Sequence, residues 1–452
     1  MSQEGIGSSG GLTRRSLLQA GMSLGIAGAM GSILTGCSSG SGTSGSTSGA
    51  SGSTAPLKFP YITDKAQDAA YQSLLAAYAA TPGGHQIQLE VVPGGWQELV
   101  TRMNSERQTS QPADLSLMTV SLIPGMSAKG QIQDLAPYVG KGLDLKKYSP
   151  ASVATYQDGD KLWAIPANQY TQVMYYNKTL LDKAGIAEPP ASWDKPWSMD
   201  EWRAAAEATT KKDGSVYGSV VDMNPERTCQ YLWSNGASFL SDDTSTFAMD
   251  SPEAKDTYTF LAKMFADKLV PPQSTLKTLT GADLFAAGRA ATIIDGAWDM
   301  ARMTAVKGFE WGVAPNPAGS TGKSYTPVWV DGWIMPTGTK QADAAWQAIQ
   351  YFSQDDSWNH LVKLNIGGIP PLTSALDANR ANLFAGLTEA RKQVWFDSIN
   401  HAKHYGFPPN YAQVVNLTLQ QLALVSTGNV TASAALDGLK GPVQALLNQN
   451  KK

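Results

Sequence analysis

Leu57-Lys58-Phe59-Pro60-Tyr61-Ile62 opens the stretch that decides the fold. It reads as a short strand, and an amphipathic helix follows over 65–80, where Tyr71, Leu74, Leu75 and Tyr78 recur at helical spacing. Thr81-Pro82-Gly83-Gly84 stops that helix. Ile87, Leu89 and Val91 then alternate with Gln88 and Glu90, which is the pattern of a strand. After Pro93-Gly94-Gly95, the residues Trp96, Leu99, Val100 and Met103 return to helical spacing, and Leu115 to Val120 is a third apolar run. Strand, helix, strand, helix, strand implies parallel βαβ units and a sheet covered by helices.

Downstream, residues 170–290 read as mostly helical. Ser198-Met199-Asp200-Glu201 is a capping box ahead of Trp202, and Asp250-Ser251-Pro252-Glu253 sets a cap residue before a first-turn proline. Ala291-Thr292-Ile293-Ile294-Asp295 is another strand-like run. Trp346, Ile349 and Phe352 mark a further helix, as do Leu436, Leu439, Val443 and Leu446, which Gly441-Pro442 is expected to interrupt. A single doubly wound sheet fits the long helical middle poorly. The expectation is an α/β protein of two lobes with the chain crossing between them.

The N-terminus speaks to compartment. Thr13-Arg14-Arg15-Ser16-Leu17-Leu18 is a twin-arginine pattern, followed by an apolar stretch to Leu34 and by Leu34-Thr35-Gly36-Cys37. A charged region, an apolar region and small residues before a cleavage point make an export signal. Glycines at 21, 25, 28 and 31 weigh against a membrane-spanning helix. Leu34-Thr35-Gly36-Cys37 resembles a bacterial lipobox, which implies a signal peptide over 1–36 and lipidation of Cys37. Residues 38–56 are almost entirely Ser, Gly, Thr and Ala and read, with Cys37, as a flexible tether to a membrane.

The chain carries a net charge of −3; Arg14, Arg15 and Glu4 contribute +1 to residues 1–36, so residues 37–452 carry −4. With no basic block, nucleic acid is not an expected partner. With Cys37 lipidated, Cys229 is alone, so stability rests on packing rather than on a disulfide.

Ordered blocks run along the chain from Trp163-Ala164-Ile165-Pro166 and Met174-Tyr175-Tyr176-Asn177-Lys178 through Ala184-Gly185-Ile186, Ser192-Trp193-Asp194 and Trp233-Ser234-Asn235-Gly236-Ala237. Asp250-Ser251-Pro252-Glu253-Ala254, Leu269-Val270-Pro271-Pro272, Phe285-Ala286-Ala287-Gly288-Arg289 and Gly367-Gly368-Ile369-Pro370 continue the series. Together, in this order, they resemble the family 1 extracellular solute-binding proteins, the carbohydrate-binding subunits of ABC importers. The resemblance implies a two-lobed periplasmic-binding-protein-like fold of type II, a ligand cleft between the lobes and hinge closure over the ligand. Strand crossings are expected near 165–170, 290–295 and 328–333. The lobes are expected to be 57–167 with 292–329, and 168–291 with 330–452. A carbohydrate ligand, a permease with its cytoplasmic ATPase, a monomeric state and no cofactor or metal complete the expectation.

Sugars offer hydroxyls at their edges and C–H patches on their faces, so a site for them needs flat aromatic surface and a few fixed polar groups. The chain has thirteen tryptophans. Trp193, Trp202, Trp311, Trp346 and Trp395 sit among apolar neighbours and read as core. Candidates for the cleft lie at element ends. Asp295-Gly296-Ala297-Trp298 follows a strand, and Trp329-Val330-Asp331-Gly332-Trp333 alternates aromatic and acidic residues at an expected crossing. Trp298 is weighed against plain packing, and Asp331 against a hinge or capping carboxylate. Trp233 and Asn235, and Asn168-Gln169-Tyr170, are further candidates. Trp96, Asp114, Thr119 and Asp64 are expected from the first lobe and Tyr411 from the C-terminal side.

No nucleophile elbow falls in a segment read as ordered, and the sequence has no phosphate loop or metal-protease motif. His401 and His404 stand at i, i+3, a spacing read as a solvated helix face rather than a metal site. Three rivals remain. A glycoside hydrolase would use Asp295 and Asp331 as its two carboxylates. A polyamine binder would use Asp64, Asp114, Asp295 and Asp331 around aromatics. A glycerol phosphate ester would need convergent Arg or Lys, which the candidate segments almost lack.

Overall fold

The computed structural model describes residues 55–62, 65–364 and 368–451. The residues read as an export signal, Cys37, nearly all of the segment read as a tether, and Asp64 lie outside the described residues. The first strands follow the alternation of the sequence. Strand β1 (Leu57–Tyr61) pairs in parallel with β2 (Ile87–Val91), and the helix Lys65–Ala79 connects them. Strand β3 (Ser116–Thr119) lies beside β1, with the Asp114 amide donating to the Lys58 carbonyl and the Ser116 hydroxyl to the Pro60 carbonyl. A two-residue hairpin, β4 (Gln157–Asp158) and β5 (Lys161–Leu162), leads into β6 (Ile165–Asn177).

Strand β6 is thirteen residues long and buried throughout. It is the structural axis. Its first half, Ile165–Thr171, pairs with β10 (Thr326–Ile334); its second half, Gln172–Asn177, pairs with β8 (Ala290–Gly296) on one side and β9 (Trp311–Ala314) on the other. Strand β7 (Tyr217–Val220) extends the second half through β8, and β11 (Ala402–His404) pairs with the start of β10. The end of β10, Asp331–Ile334, pairs with β3. Strands β6 and β10 are therefore the two that join the halves of the fold.

These pairings correct two expectations. Residues 290–295 make no crossing: β8 and β9 flank the second half of β6, and β7 extends the same half of the fold through β8. The apportionment of the C-terminal sequence is also reversed in part. Residues 292–314 sit with β7 rather than with β1 and β3, whereas 331–334 pair with β3. The following helices, Ala342–Phe352 and Asp355–Lys363, pack on Lys65–Ala79, where Tyr351 and Phe352 meet Tyr78 at 5.1 and 5.5 Å between ring centroids. Only later does the chain return, as Tyr411–Ser426 and Ala432–Leu447 pack on Pro252–Ala266. Linear order carries no signal for which half a helix joins, because every amphipathic helix presents the same kind of apolar stripe.

Local rules explain most element ends. The Ser198 hydroxyl accepts from the Glu201 amide at 3.1 Å while the Glu201 carboxylate accepts from the Ser198 amide at 2.7 Å, the reciprocal pair read from sequence. Ser251 caps the helix Pro252–Ala266, directly before its first-turn proline, as read from sequence. Pro442 does not end its helix, which runs continuously over Ala432–Leu447. His401 and His404 share no helix face. His401 ends a short 3₁₀ turn and lies flat on Trp193, 4.8 Å between centroids, whereas His404 is exposed on β11. Trp193, Trp202, Trp346 and Trp395 are buried and Trp311 is half-buried. Cys229 is a free, buried thiol.

Candidate functional site

A cleft of about 430 Å³ opens where β6 and β10 pass between the halves. Tyr61 and Ile62 line it from the end of β1, Gly94 and Trp96 from the turn before the helix Trp96–Gln108, and Thr119 from the end of β3. Tyr170 comes from β6, Trp329 and Asp331 from β10, and Trp298 from the turn after β8. The opposite wall is the first turn of the helix Pro225–Ser234, with Glu226 and Arg227.

Each side chain is placed by its element. Asp331 stands opposite Asn168 in the β10–β6 ladder, next to a register shift before Gly332. The extra residue is Ala167 of β6, so the alternation of β10 runs on through Asp331. Trp329 stands opposite Tyr170, two residues from Asp331 and so on the same face. Trp298 lies back over Gly296: a Cβ at that position would come within 2.2 Å of the indole. Glycine is required there by this close approach rather than by its backbone angles. Tyr170 meets the Trp298 ring edge-on at 5.6 Å, and the Arg227 guanidinium lies 5.1 Å from its centroid. Arg227 Nη1 is also 3.5 Å from Asp295 Oδ1. Trp96 is tilted against Tyr61 at 5.9 Å.

The electrostatics are those of a desolvated, weakly charged cleft. Burial pushes the Asp331 carboxyl up to about 7, against the opposing pull of the Thr119 hydroxyl. Burial also raises Glu226, with the Tyr411 phenol beside it pulling the other way. Behind Trp298, burial raises the Asp299 carboxyl, and the neighbouring Asp295 adds to the effect, while Arg302, 3.2 Å from Asp299 Oδ1, opposes it. The phenols of Tyr61 and Tyr170 are raised well above their usual range by the same desolvation.

Of the candidates from sequence, Trp96, Thr119, Tyr170, Trp298, Trp329 and Asp331 line this one cleft. Asn168 is buried behind it, and Asp295 and Gly296 support Trp298. The others stand elsewhere. Trp333 shares the face of Trp329 and Asp331 but is roofed by Phe59 and Phe352, at 5.4 and 5.0 Å. The Asp114 carboxylate accepts from the Lys58 amide and from Thr339 and Gln341 side chains, tying the first strands together. Gln169 Oε1 accepts from the Ser152 hydroxyl. Asn235 ends the helix Pro225–Ser234 and holds Thr257 and the Ser320 amide. Trp233 lines a second pocket of about 410 Å³ with Phe239, Lys403, His404 and Tyr405. Tyr411 is buried in an aromatic cluster with Tyr405 and Phe407.

Sequence reasoning missed Tyr61, Ile62, Gly94, Glu226 and Arg227. Tyr61 ends a strand, so the rule that picked Trp298 would have found it. Nothing in Asn224-Pro225-Glu226-Arg227 distinguishes it from any capped helix start. The Asn224 carbonyl side-chain oxygen accepts from the Glu226 amide at 3.0 Å, an ordinary cap. Arg227 also amends the expectation of a cleft without cations.

The model for the family described as "Bacterial extracellular solute-binding protein" matches residues 63–357. A putative binding protein of Brucella abortus (strain 2308), BAB2_0491, is 24% identical over 388 residues, covering 84% of this chain and 90% of its own. The maltotriose-binding protein of Pyrococcus abyssi is also 24% identical, over 68% of this chain and 64% of its own. Among solved structures, the ABC substrate-binding protein Lmo0181 from Listeria monocytogenes in complex with cycloalternan superposes with a TM-score of 0.77 at 17% identity, covering 87% of this chain and 99% of that one. UgpB from Mycobacterium tuberculosis in complex with glycerophosphocholine gives 0.76 at 17% identity, with 88% and 100% covered. These structural likenesses establish the type II periplasmic-binding-protein-like architecture. The match over 63–357 and the strand arrangement around β6 and β10 place the chain in one family: it belongs to the bacterial extracellular solute-binding proteins.

Proposed function

We propose that this protein is the substrate-binding component of an ABC importer and that it captures a sugar or oligosaccharide in the cleft between β6, β10 and the helix Pro225–Ser234. The observation that carries the reading is the lining. Five rings (Tyr61, Trp96, Tyr170, Trp298 and Trp329) offer flat faces around two carboxyls, Asp331 and Glu226. Aromatic faces suit sugar C–H patches, and the carboxyls accept from hydroxyls. The maltotriose-binding relative and the cycloalternan-bound neighbour agree with it. Closure of one half on the other is hinge motion about β6 and β10, driven by the ligand's preference for the closed state. The lobes are redrawn accordingly: β1–β5 with the end of β10 and the helices that follow it form one, and β7–β9 with the helices of 178–266 and 411–447 form the other.

The twin-arginine pattern, the lipobox-like Leu34-Thr35-Gly36-Cys37 and the Ser/Gly stretch after it support export and lipid anchoring at Cys37 outside the cell membrane. No hydrolase pair is favoured. Asp295 is engaged by Arg227 and the Gly296 amide behind Trp298, so it does not face Asp331 across an open site. A second reading, a glycerol phosphate ester, is favoured by one observation, Arg227 in the cleft wall together with the UgpB likeness.

A thermal-shift and calorimetry screen across mono- and oligosaccharides, glycerophosphodiesters and polyamines tests the proposal. A ligand present at a hundred times its dissociation constant stabilises the folded state by about 2.7 kcal/mol. Saturable binding of a saccharide without products is the expected result. Binding confined to phosphodiesters or polyamines, or turnover of the sugar, would refute it.

A further inference from the structure

Asp331 is 7% exposed, on the floor of the cleft. The groups around it come from every element packed against it. They are Thr119 of β3, Tyr61 of β1, Tyr71 of the helix Lys65–Ala79, Tyr156 before β4, and Tyr170 and Asn168 of β6. All are neutral phenols, a hydroxyl or an amide, and none is a cation. Arg227, the cation in the cleft wall, is committed to Asp295 and to the Trp298 face, and Glu226 beside it sits by Tyr411. A buried carboxylate without a counter-charge is expensive, and in practice such a group takes up a proton instead.

The ligand changes that balance. Hydroxyl donors from a sugar stabilise the ionised form, whereas a phosphate or carboxylate brings more negative charge and further acceptors. We propose that Asp331 determines what the cleft accepts: the ligand must present hydrogen-bond donors to this carboxyl, anionic solutes are excluded, and binding releases to solvent the proton that the ligand-free protein holds. The proposal rests on the sugar-binding reading above. The step balances, since the protonated carboxyl and the ligand give a ligand-bound carboxylate and one proton passed to buffer. The position of this carboxyl, about 7 through burial, puts the release within the neutral range.

The sign follows from linkage. Below about 7 the ligand-free protein holds the proton, so binding must expel it and affinity is reduced. Affinity therefore rises with pH up to about 7 and is level above it. A bound-state carboxyl well below pH 6 gives affinity about ten-fold weaker at about pH 6 than at about pH 8.

Two measurements test this. The first needs no ligand: thermal unfolding from about pH 5 to about pH 8.5 for the wild type, Asp331→Asn and Thr119→Val. The wild type is expected to lose stability relative to Asp331→Asn as pH rises toward 7, with the difference level beyond. Thr119→Val, which removes the opposing hydroxyl, moves the transition to higher pH. Parallel curves for wild type and Asp331→Asn overturn the inference even where saccharides bind. The second is titration calorimetry with maltotriose and glycerophosphocholine in two buffers of different ionisation enthalpy. Buffer-dependent heat with maltotriose at about pH 6, none at about pH 8, and none in Asp331→Asn is expected. Equal heats in both buffers at about pH 6, or glycerophosphocholine binding as tightly as maltotriose, overturn it. If the unfolding curves behave as expected while no saccharide of the screen binds, it is the sugar-binding reading that fails, and the specificity claim with it.

Discussion

Gly296→Ala tests the architecture of the cleft without removing any of its chemistry. Gly296 has φ −92 and ψ 173, a backbone that alanine adopts without strain. The new methyl, however, would lie 2.2 Å from Trp298 Cζ3 and 2.3 Å from Cε3 and Cη2. Ordinary contact begins at about 3.4 Å, so the indole must withdraw by more than 1 Å, losing its place against Tyr170 and Arg227. A sugar resting on one indole face covers roughly 60–80 Å² of apolar surface, and at about 25 cal/mol per Å² this is about 1.5–2 kcal/mol. The expected result is a dissociation constant about 10–30-fold weaker. Folding stability should change little, because the ring moves at a cleft wall and the loss of glycine's unfolded-state freedom offsets part of the strain. Calorimetry with the saccharide found in the screen reads the affinity. The Trp298 contribution to emission, obtained by difference against Trp298→Phe, reports the ring's displacement. Trp298→Ala should lose at least as much affinity. An unchanged dissociation constant together with a displaced ring would refute the role given to Trp298.

Arg227→Met keeps the apolar stem against Trp298 but removes the charge; it should leave neutral saccharide binding within a few-fold, and a larger loss for a phosphodiester than for a sugar in calorimetry would revive the ester reading. Trp395→Ala should destabilise by about 3–5 kcal/mol in denaturant unfolding, since this fully buried ring stacks on Phe384 and meets Tyr175. Because burial raises Asp299, protonation favours the folded state; its contribution is complete at low pH and is lost as pH rises through the folded-state value. Asp299→Asn should therefore flatten the stability profile between about pH 4 and about pH 7, and a profile identical to wild type there would remove Asp299 from it. Cys37→Ala should release the exported protein from the membrane fraction, read by fractionation and blotting.

Much of this protein was legible in its residues one element at a time. The opening strand–helix alternation, the Ser198–Glu201 box and the strand ending at Gly296 rest on local rules, periodicity and capping, and these act over a few residues. The element-end rule singled out Trp298, and the expected crossings singled out Trp329, Asp331 and Tyr170, which lie inside β10 and β6. What these rules cannot reach is any fact set by two distant segments meeting. Trp329, Asp331 and Trp333 share one face of β10 by alternation, yet only the roof of Phe59 and Phe352 makes the third a core residue. Arg227 belongs to the cleft only because its helix start is carried to face β10, and the Asp331 carboxyl is raised only because Tyr61, Tyr71, Tyr156 and Tyr170 arrive around it from separate elements. Sequence determined the elements that periodicity and capping mark, and the family. Tertiary structure decided which of its many aromatics and acids face one another, since burial and proximity are properties of the assembled chain.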